Sequence, residues 1–73
     1  MLVIDVRGMK CPLPVLKTRK RMEGLPAGAQ VEVVASDPMA RIDIPHFCNE
    51  NGHRLISAEE EAGVTRYRIE KGG

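Results

Sequence analysis

Cys11 is followed by Pro12, Leu13 and Pro14 and preceded by Arg7 and Lys10, a grouping that presents a thiol among cations. Proline is tolerated in a first helical turn, where backbone N–H groups have no intrahelical partner, so Cys11-Pro12-Leu13-Pro14 reads as a helix opening. A thiol placed there meets free N–H groups, the positive end of the helix dipole and the nearby Arg7 and Lys10 charges, all of which favour thiolate. The expected effect is a fall of about one unit from the ordinary thiol value near 8.5. Pro12 and Pro14 restrict the turn before it folds and so fix the direction of the side chain. Cysteine is not a preferred helix cap, so helix stability does not account for its presence. The expected result is a presented, reactive thiol.

The other candidates are weaker. Cys48 falls about ten residues into a second helix, roughly 15 Å along its axis, whereas a disulfide needs Cα atoms within about 7 Å. It is expected in the core as a thiol. The spacing His46-x-Cys48-x4-His53 lacks a paired ligand set, so no metal site is expected. His46 and His53 read as surface residues. Six of the eleven basic residues, Arg7, Lys10, Lys17, Arg19, Lys20 and Arg21, occupy a stretch without an acid. That stretch surrounds Cys11 and concentrates positive field at the thiol.

Four strands and two helices are needed to position these groups. Leu2–Val6 alternates, with Leu2, Ile4 and Val6 on one face, and reads as a strand. Arg7-Gly8-Met9-Lys10 forms a loop, and a helix from Cys11 to about Met22 ends at Gly24. Its apolar stripe is Pro12, Val15, Leu16 and Met22, interrupted by Arg19, with Leu13 on the other side beside Lys17 and Lys20. After a turn at residues 25–28, Gln30–Ala35 is a strand with Val31, Val33 and Ala35 inward. Asp37 and Pro38 mark a second helix, with Met39, Ile42, Phe47 and Cys48 apolar and an end at Asn51-Gly52. Pro45 predicts a kink, or a short turn followed by a fresh helix. Arg54–Ala58 and Val64–Glu70 close the domain as a hairpin across an acidic turn, residues 59–63, and residues 71–73 read as a frayed tail.

The order βαβαββ predicts an α/β two-layer sandwich: a four-stranded mixed sheet with two helices packed on one face, a single domain over residues 1–73. Seventy-three residues bury only about 60% of the unfolded surface, which argues against a large enclosed site. The longest apolar run, Leu2–Ile4, is far short of the roughly 20 residues of a membrane span. No membrane partner is expected, and with no segment that reads as a cleavable signal the expected location is cytoplasmic. A net charge of +1 and only Phe47 and Tyr67 as aromatics argue against direct nucleic-acid binding.

The segment Asp5-Val6-Arg7-Gly8-Met9-Lys10-Cys11-Pro12-Leu13-Pro14 resembles the Cys-Pro-x-Pro signature of the TusA-type, SirA-like sulfur carriers. Asp37-Pro38, Asp43-Ile44-Pro45, Phe47-Cys48, Gly52-His53 and the ending from Arg66 to Gly73 extend the resemblance along essentially the whole chain. It implies a sulfurtransferase-type persulfide relay with Cys11 as carrier, Gly8, Pro12 and Pro14 supporting the motif, and no cofactor. Sulfur would come from a cysteine desulfurase or a rhodanese and pass to an acceptor protein. Relatives of this type serve tRNA 2-thiouridine formation, sulfur oxidation or molybdenum cofactor supply. Each exchange has a thiolate leaving group, so no general acid or base is demanded. Arg7, Lys10, Leu13, Lys17 and Lys20 are the expected docking surround, with Leu13 apolar where tRNA-thiolation members are often acidic. Two alternatives are a non-catalytic regulatory module using the same basic face and a thiol sensor coupling Cys11 to Cys48.

Overall fold

The computed structural model describes residues 1–72. Its elements are β1 (Leu2–Val6), α1 (Leu13–Met22), β2 (Gln30–Ala35), α2 (Ala40–Glu50), β3 (Arg54–Glu61) and β4 (Val64–Glu70). The sheet order is β1-β2-β4-β3, with β1 parallel to β2 and the remaining pairs antiparallel. This is the mixed sheet and βαβαββ order that the sequence predicts. One sheet face supplies the core through Ile4, Val6, Val31, Val33, Tyr67 and Ile69, and the helices cover it with Met22, Ala40, Ile44, Phe47 and Cys48. Val3, Asp5, Arg66 and Arg68, pointing the other way, are exposed. That alternation is what a sheet with one buried face requires.

Six local expectations change. Helix α1 begins at Leu13 rather than Cys11. Its buried residues are Pro14, Thr18 and Met22, while Pro12 and Leu16 are exposed. Thr18 can be buried because its hydroxyl donates to the Pro14 carbonyl at 2.7 Å, which satisfies the polar group within the helix. In α2, Met39 and Ile42 are exposed and Ala40 and Ile44 take the inward positions. The helix runs unbroken through Pro45, which supplies no N–H to the Arg41 carbonyl.

Strand β3 continues through Glu59, Glu60 and Glu61, so the acidic residues form strand rather than turn. The hairpin is closed by Ala62 and Gly63 alone, both at positive φ, 54° and 80°. Such two-residue turns match the twist of the flanking strands, and they carry the pairing out to Glu61 opposite Val64. As a sheet edge, β3 tolerates the charges, and Glu60 pairs with Arg41. The tail is also fixed: Lys71 N–H donates to the Ala29 carbonyl at 2.7 Å, and the Lys71 carbonyl accepts from Gly28 N–H at 2.8 Å. Gly72 N–H donates to His53 Nδ1 at 3.0 Å, which draws His53 into a half-buried position. Gly73 lies outside the described residues.

Candidate functional site: a thiol at the mouth of an interhelical groove

Parallel neighbours β1 and β2 end at the same edge of the sheet, at Val6 and Ala35. The loops that leave them are therefore adjacent, and two hydrogen bonds tie them together. Gly8 N–H donates to Ser36 Oγ at 2.8 Å, and Cys11 N–H donates to Asp37 Oδ2 at 2.7 Å. Asp37 Oδ1 meanwhile accepts from Met39 N–H at 3.2 Å, so one carboxylate holds Cys11 and the approach to α2 together. Gly8 has φ 80°, a left-handed conformation that glycine adopts without strain.

Cys11 is exposed and lies on a turn closed by Leu13 N–H donating to the Lys10 carbonyl at 2.8 Å. The Cys11–Pro12 peptide is cis. A groove of about 200 Å³ opens beside the thiol between the two helices. Its walls are Pro12, Val15 and Arg19 from α1 and its approach, and Asp43, His46, Phe47 and Glu50 from α2. The Arg19 guanidinium lies 5.7 Å from the Phe47 ring centre, and His46 Nε2 is 2.6 Å from Glu50 Oε1. The sequence reading assigns His46 to the surface and does not single out Asp43 or Glu50 as site residues. Their i, i+3, i+7 spacing places them on one face of α2, a signal that becomes readable once both helices are known to share a layer.

The electrostatics reverse the expectation for Cys11. Its thiol is raised above the ordinary value, first by hydrogen bonding to Asp43, then by desolvation and by the charges of Asp43 and Asp37. The expected thiolate-favouring groups are otherwise engaged. Arg7 Nε and Nη2 donate to the two Asp5 oxygens at 3.0 and 2.8 Å, and Lys17 Nζ donates to the Asp5 carbonyl at 3.1 Å. Neither Pro12 nor Pro14 has an N–H and that of Leu13 is spent on Lys10, which leaves at most Val15 to act as an anion donor at the start of α1. Lys10 and Lys20 are exposed on the surface, as is Leu13, at 53%. Pro14 is buried beneath the helix start.

The Arg7 pairing carries its own test. It holds the Asp5 carboxyl down at about 2. A depressed carboxylate contributes stability that is present above its unfolded value and lost as pH falls through the folded one. For this exposed pair the contribution is small and confined to the window between about pH 4 and pH 2. Carbon-detected NMR titration of Asp5 should give a midpoint near the lower limit, and Arg7→Gln should return it to the ordinary carboxylate range. An unchanged midpoint in Arg7→Gln would show that Arg7 is free to serve Cys11 after all.

Cys48 is buried against the sheet, and burial pushes its thiol up to about 11. Its proton-bound form is thus favoured by folding, so stability is fully present below the ordinary thiol range and is lost as pH rises through about 11. One thiol per chain should react with a disulfide reagent in the native protein and two in urea. Cys48→Ala should remove a step in the alkaline stability profile; persistence of that step would place its origin elsewhere. Among the described residues no cluster of three or more His, Cys, Asp or Glu is arranged to hold a metal. No helix among them is long and apolar enough to cross a membrane.

With this geometry in view, the relationships are specific. Residues 2–71 match the family described as Sulfurtransferase TusA. The chain belongs to the TusA family. The sulfur carrier protein TusA of Pseudomonas putida strain GB-1 is 44% identical over 69 residues, covering 94% of this chain and 86% of that protein. The putative sulfur carrier protein YrkF of Bacillus subtilis is 36% identical over 72 residues, covering 99% of this chain and 39% of YrkF. The crystal structure of a SirA-like protein from Desulfitobacterium hafniense superposes with a TM-score of 0.84 at 28% identity and covers all of both chains. Within this TusA fold, Cys11 is the exposed thiol and Cys48 the buried one.

Proposed function

We propose that this protein carries sulfane sulfur as a persulfide on Cys11, taking it from a cysteine desulfurase or a rhodanese and yielding it to a cysteine of an acceptor protein. The observation that supports this most directly is the location of an exposed thiol at the edge where two tethered loops meet, in a chain of the TusA family. A carrier must offer one sulfur to two different partners in turn, so its thiol has to stand at a surface. Leu13 and Leu16 on α1, and Met39 and Ile42 around the start of α2, are exposed apolar residues on the first turns beside that edge. A docking protein would bury them, with Lys10, Lys17 and Lys20 steering approach to an acidic partner surface.

The route most in keeping with the family is delivery towards 2-thiouridine in tRNA, with sulfur oxidation or molybdenum cofactor supply as related destinations. Contact with the RNA itself is not part of the reading, because Phe47 and Tyr67 are both buried and offer no stacking surface. The setting proposed is a reducing cytoplasm, which keeps Cys11 available as a thiol. The relay is tested by charging the protein with radioactive sulfur from labelled cysteine and a desulfurase, removing the donor, and adding a candidate acceptor. Label should pass to the acceptor and be released from both proteins by dithiothreitol. Label that stays on the carrier with every acceptor tried, while an acceptor binds Cys11→Ser as well as wild type, would instead favour a regulatory module.

A further inference from the structure

The groove beside Cys11 carries more charge than a relay between two proteins requires, and its walls differ in sign. Arg19 comes from α1, and Asp43 and Glu50 come from α2. Glu50 is paired with His46 at 2.6 Å, whereas Arg19 and Asp43 make no ion pair among the described residues. Arg7 and Lys17 are bound to Asp5 outside the groove. A cation and an anion thus face each other across the groove without a protein partner.

Their depth is set by the fold. Both helices descend from the sheet edge at Val6 and Ala35. Cys11 N–H is held by Asp37 Oδ2 at 2.7 Å, so the thiol stands near the start of α2, whose first turn carries Asp43. Arg19 follows Val15, and Phe47 follows Asp43, by one turn, about 6 Å deeper along each helix. The Arg19 guanidinium lies over the Phe47 ring, 5.7 Å from its centre. Its fork of N–H donors suits a carboxylate while its face lies on an aromatic ring. From the mouth inwards, the groove presents a thiol, a carboxylate on one wall, and a guanidinium above an apolar floor.

A free amino-acid persulfide matches that order. Its terminal sulfur meets Cys11, its ammonium Asp43, its carboxylate Arg19, and its carbons Val15 and Phe47. A persulfide on a protein does not match, because its amine and carboxyl are tied up in peptide bonds. The groove holds about 200 Å³, below the roughly 300 to 1,000 Å³ of sites for drug-sized ligands, and suits so small a molecule. We propose that the groove is a binding site for cysteine persulfide, from which Cys11 takes sulfane sulfur without a donor protein. The inference rests on Cys11 being the persulfide site. Cys11 Sγ bonds to the terminal sulfur as the donor's S–S bond breaks. The proton that Cys11 gives up to water is matched by one that the departing cysteine thiolate takes from it, with no net oxidation or reduction.

Three persulfides, each made from its disulfide and sulfide, test the match: cysteine persulfide, cysteamine persulfide, which lacks the carboxylate, and N-acetylcysteine persulfide, which lacks the ammonium. The readout is the initial rate of sulfur gain on Cys11 by intact-protein mass spectrometry, taken as a ratio of two persulfides on the same protein, so that a change in thiol reactivity cancels. In Arg19→Gln the cysteine-to-cysteamine ratio should fall by about tenfold, as for loss of a charge-assisted hydrogen bond. Arg21→Gln, which removes the same charge from an exposed position outside the groove, should leave it unchanged. In Asp43→Asn the cysteine-to-N-acetylcysteine ratio should fall several-fold. An unchanged first ratio in Arg19→Gln, an equal fall in Arg21→Gln, or an unchanged second ratio in Asp43→Asn would each overturn the proposal. So would a wild type that takes sulfur from a desulfurase but none from cysteine persulfide. A wild type that takes sulfur from neither of these nor from a rhodanese would instead remove the underlying carrier reading.

Discussion

Replacing the sulfur of Cys11 by oxygen should abolish sulfur uptake while leaving the fold intact. Serine cannot form a persulfide, and the one remaining thiol, Cys48, is buried in the core and raised to about 11, so it should not substitute. The change is otherwise mild. Cys11 is exposed, and serine keeps the backbone N–H that donates to Asp37 Oδ2. Cys11→Ser should therefore unfold within about 0.5 kcal/mol of wild type. Urea denaturation followed by circular dichroism measures the second half of this expectation, and sulfur-35 labelling with a desulfurase measures the first. Equal loss of uptake in Cys48→Ala would mean that the relay needs both thiols.

The second large effect is on stability and comes from α2. Ile44 is fully buried between that helix and the sheet, whereas Ile42, two residues earlier, is 63% exposed. Truncating a buried isoleucine to alanine costs about 2 to 5 kcal/mol through lost transfer energy and the cavity left behind. A chain of this length has roughly 4 to 11 kcal/mol of stability in all. Ile44→Ala should therefore lower the Tm by roughly 10 to 30 °C, and Ile42→Ala should change it little. Because Asp43 adjoins Ile44, the buried substitution should also loosen the groove wall beside Cys11. Equal destabilisation by the two alanine variants would contradict the orientation of α2.

The contrast between Ile42 and Ile44 also shows where sequence reading reached its limit. Strand alternation was legible because period two assigns every side chain to a face, and Val31, Val33 and Ala35 lie inward as expected. Helix faces were less legible. In α1 the inward residue between Pro14 and Met22 is a threonine, whose polarity hides it from an apolar pattern although its hydroxyl is satisfied locally. In α2 the burial of Ala40, a small residue, together with Ile44 and Phe47 moves the stripe away from Met39 and Ile42. The chain exposes those larger residues at the edge that carries Cys11.

The thiol itself was legible from its motif, but its environment was not. Nearby cations in sequence suggested a thiolate, yet Arg7 doubles back two residues to Asp5. The groups that do act on Cys11, Asp37 and Asp43, stand 26 and 32 positions away in the sequence. Their approach follows from the parallel pairing of β1 with β2, which brings two distant loops to one edge. Spacing along the chain carries no direct record of such a meeting.

The central claim is that Cys11 holds transferable sulfur. Its most direct test is intact-protein mass spectrometry after incubation with a cysteine desulfurase, pyridoxal phosphate and cysteine, comparing wild type, Cys11→Ser and Cys48→Ala. Wild type and Cys48→Ala should each gain the mass of one sulfur atom, removable by reductant, and Cys11→Ser should gain none. Sulfur retained by Cys11→Ser, or no gain in wild type with either this donor or a rhodanese, would contradict it.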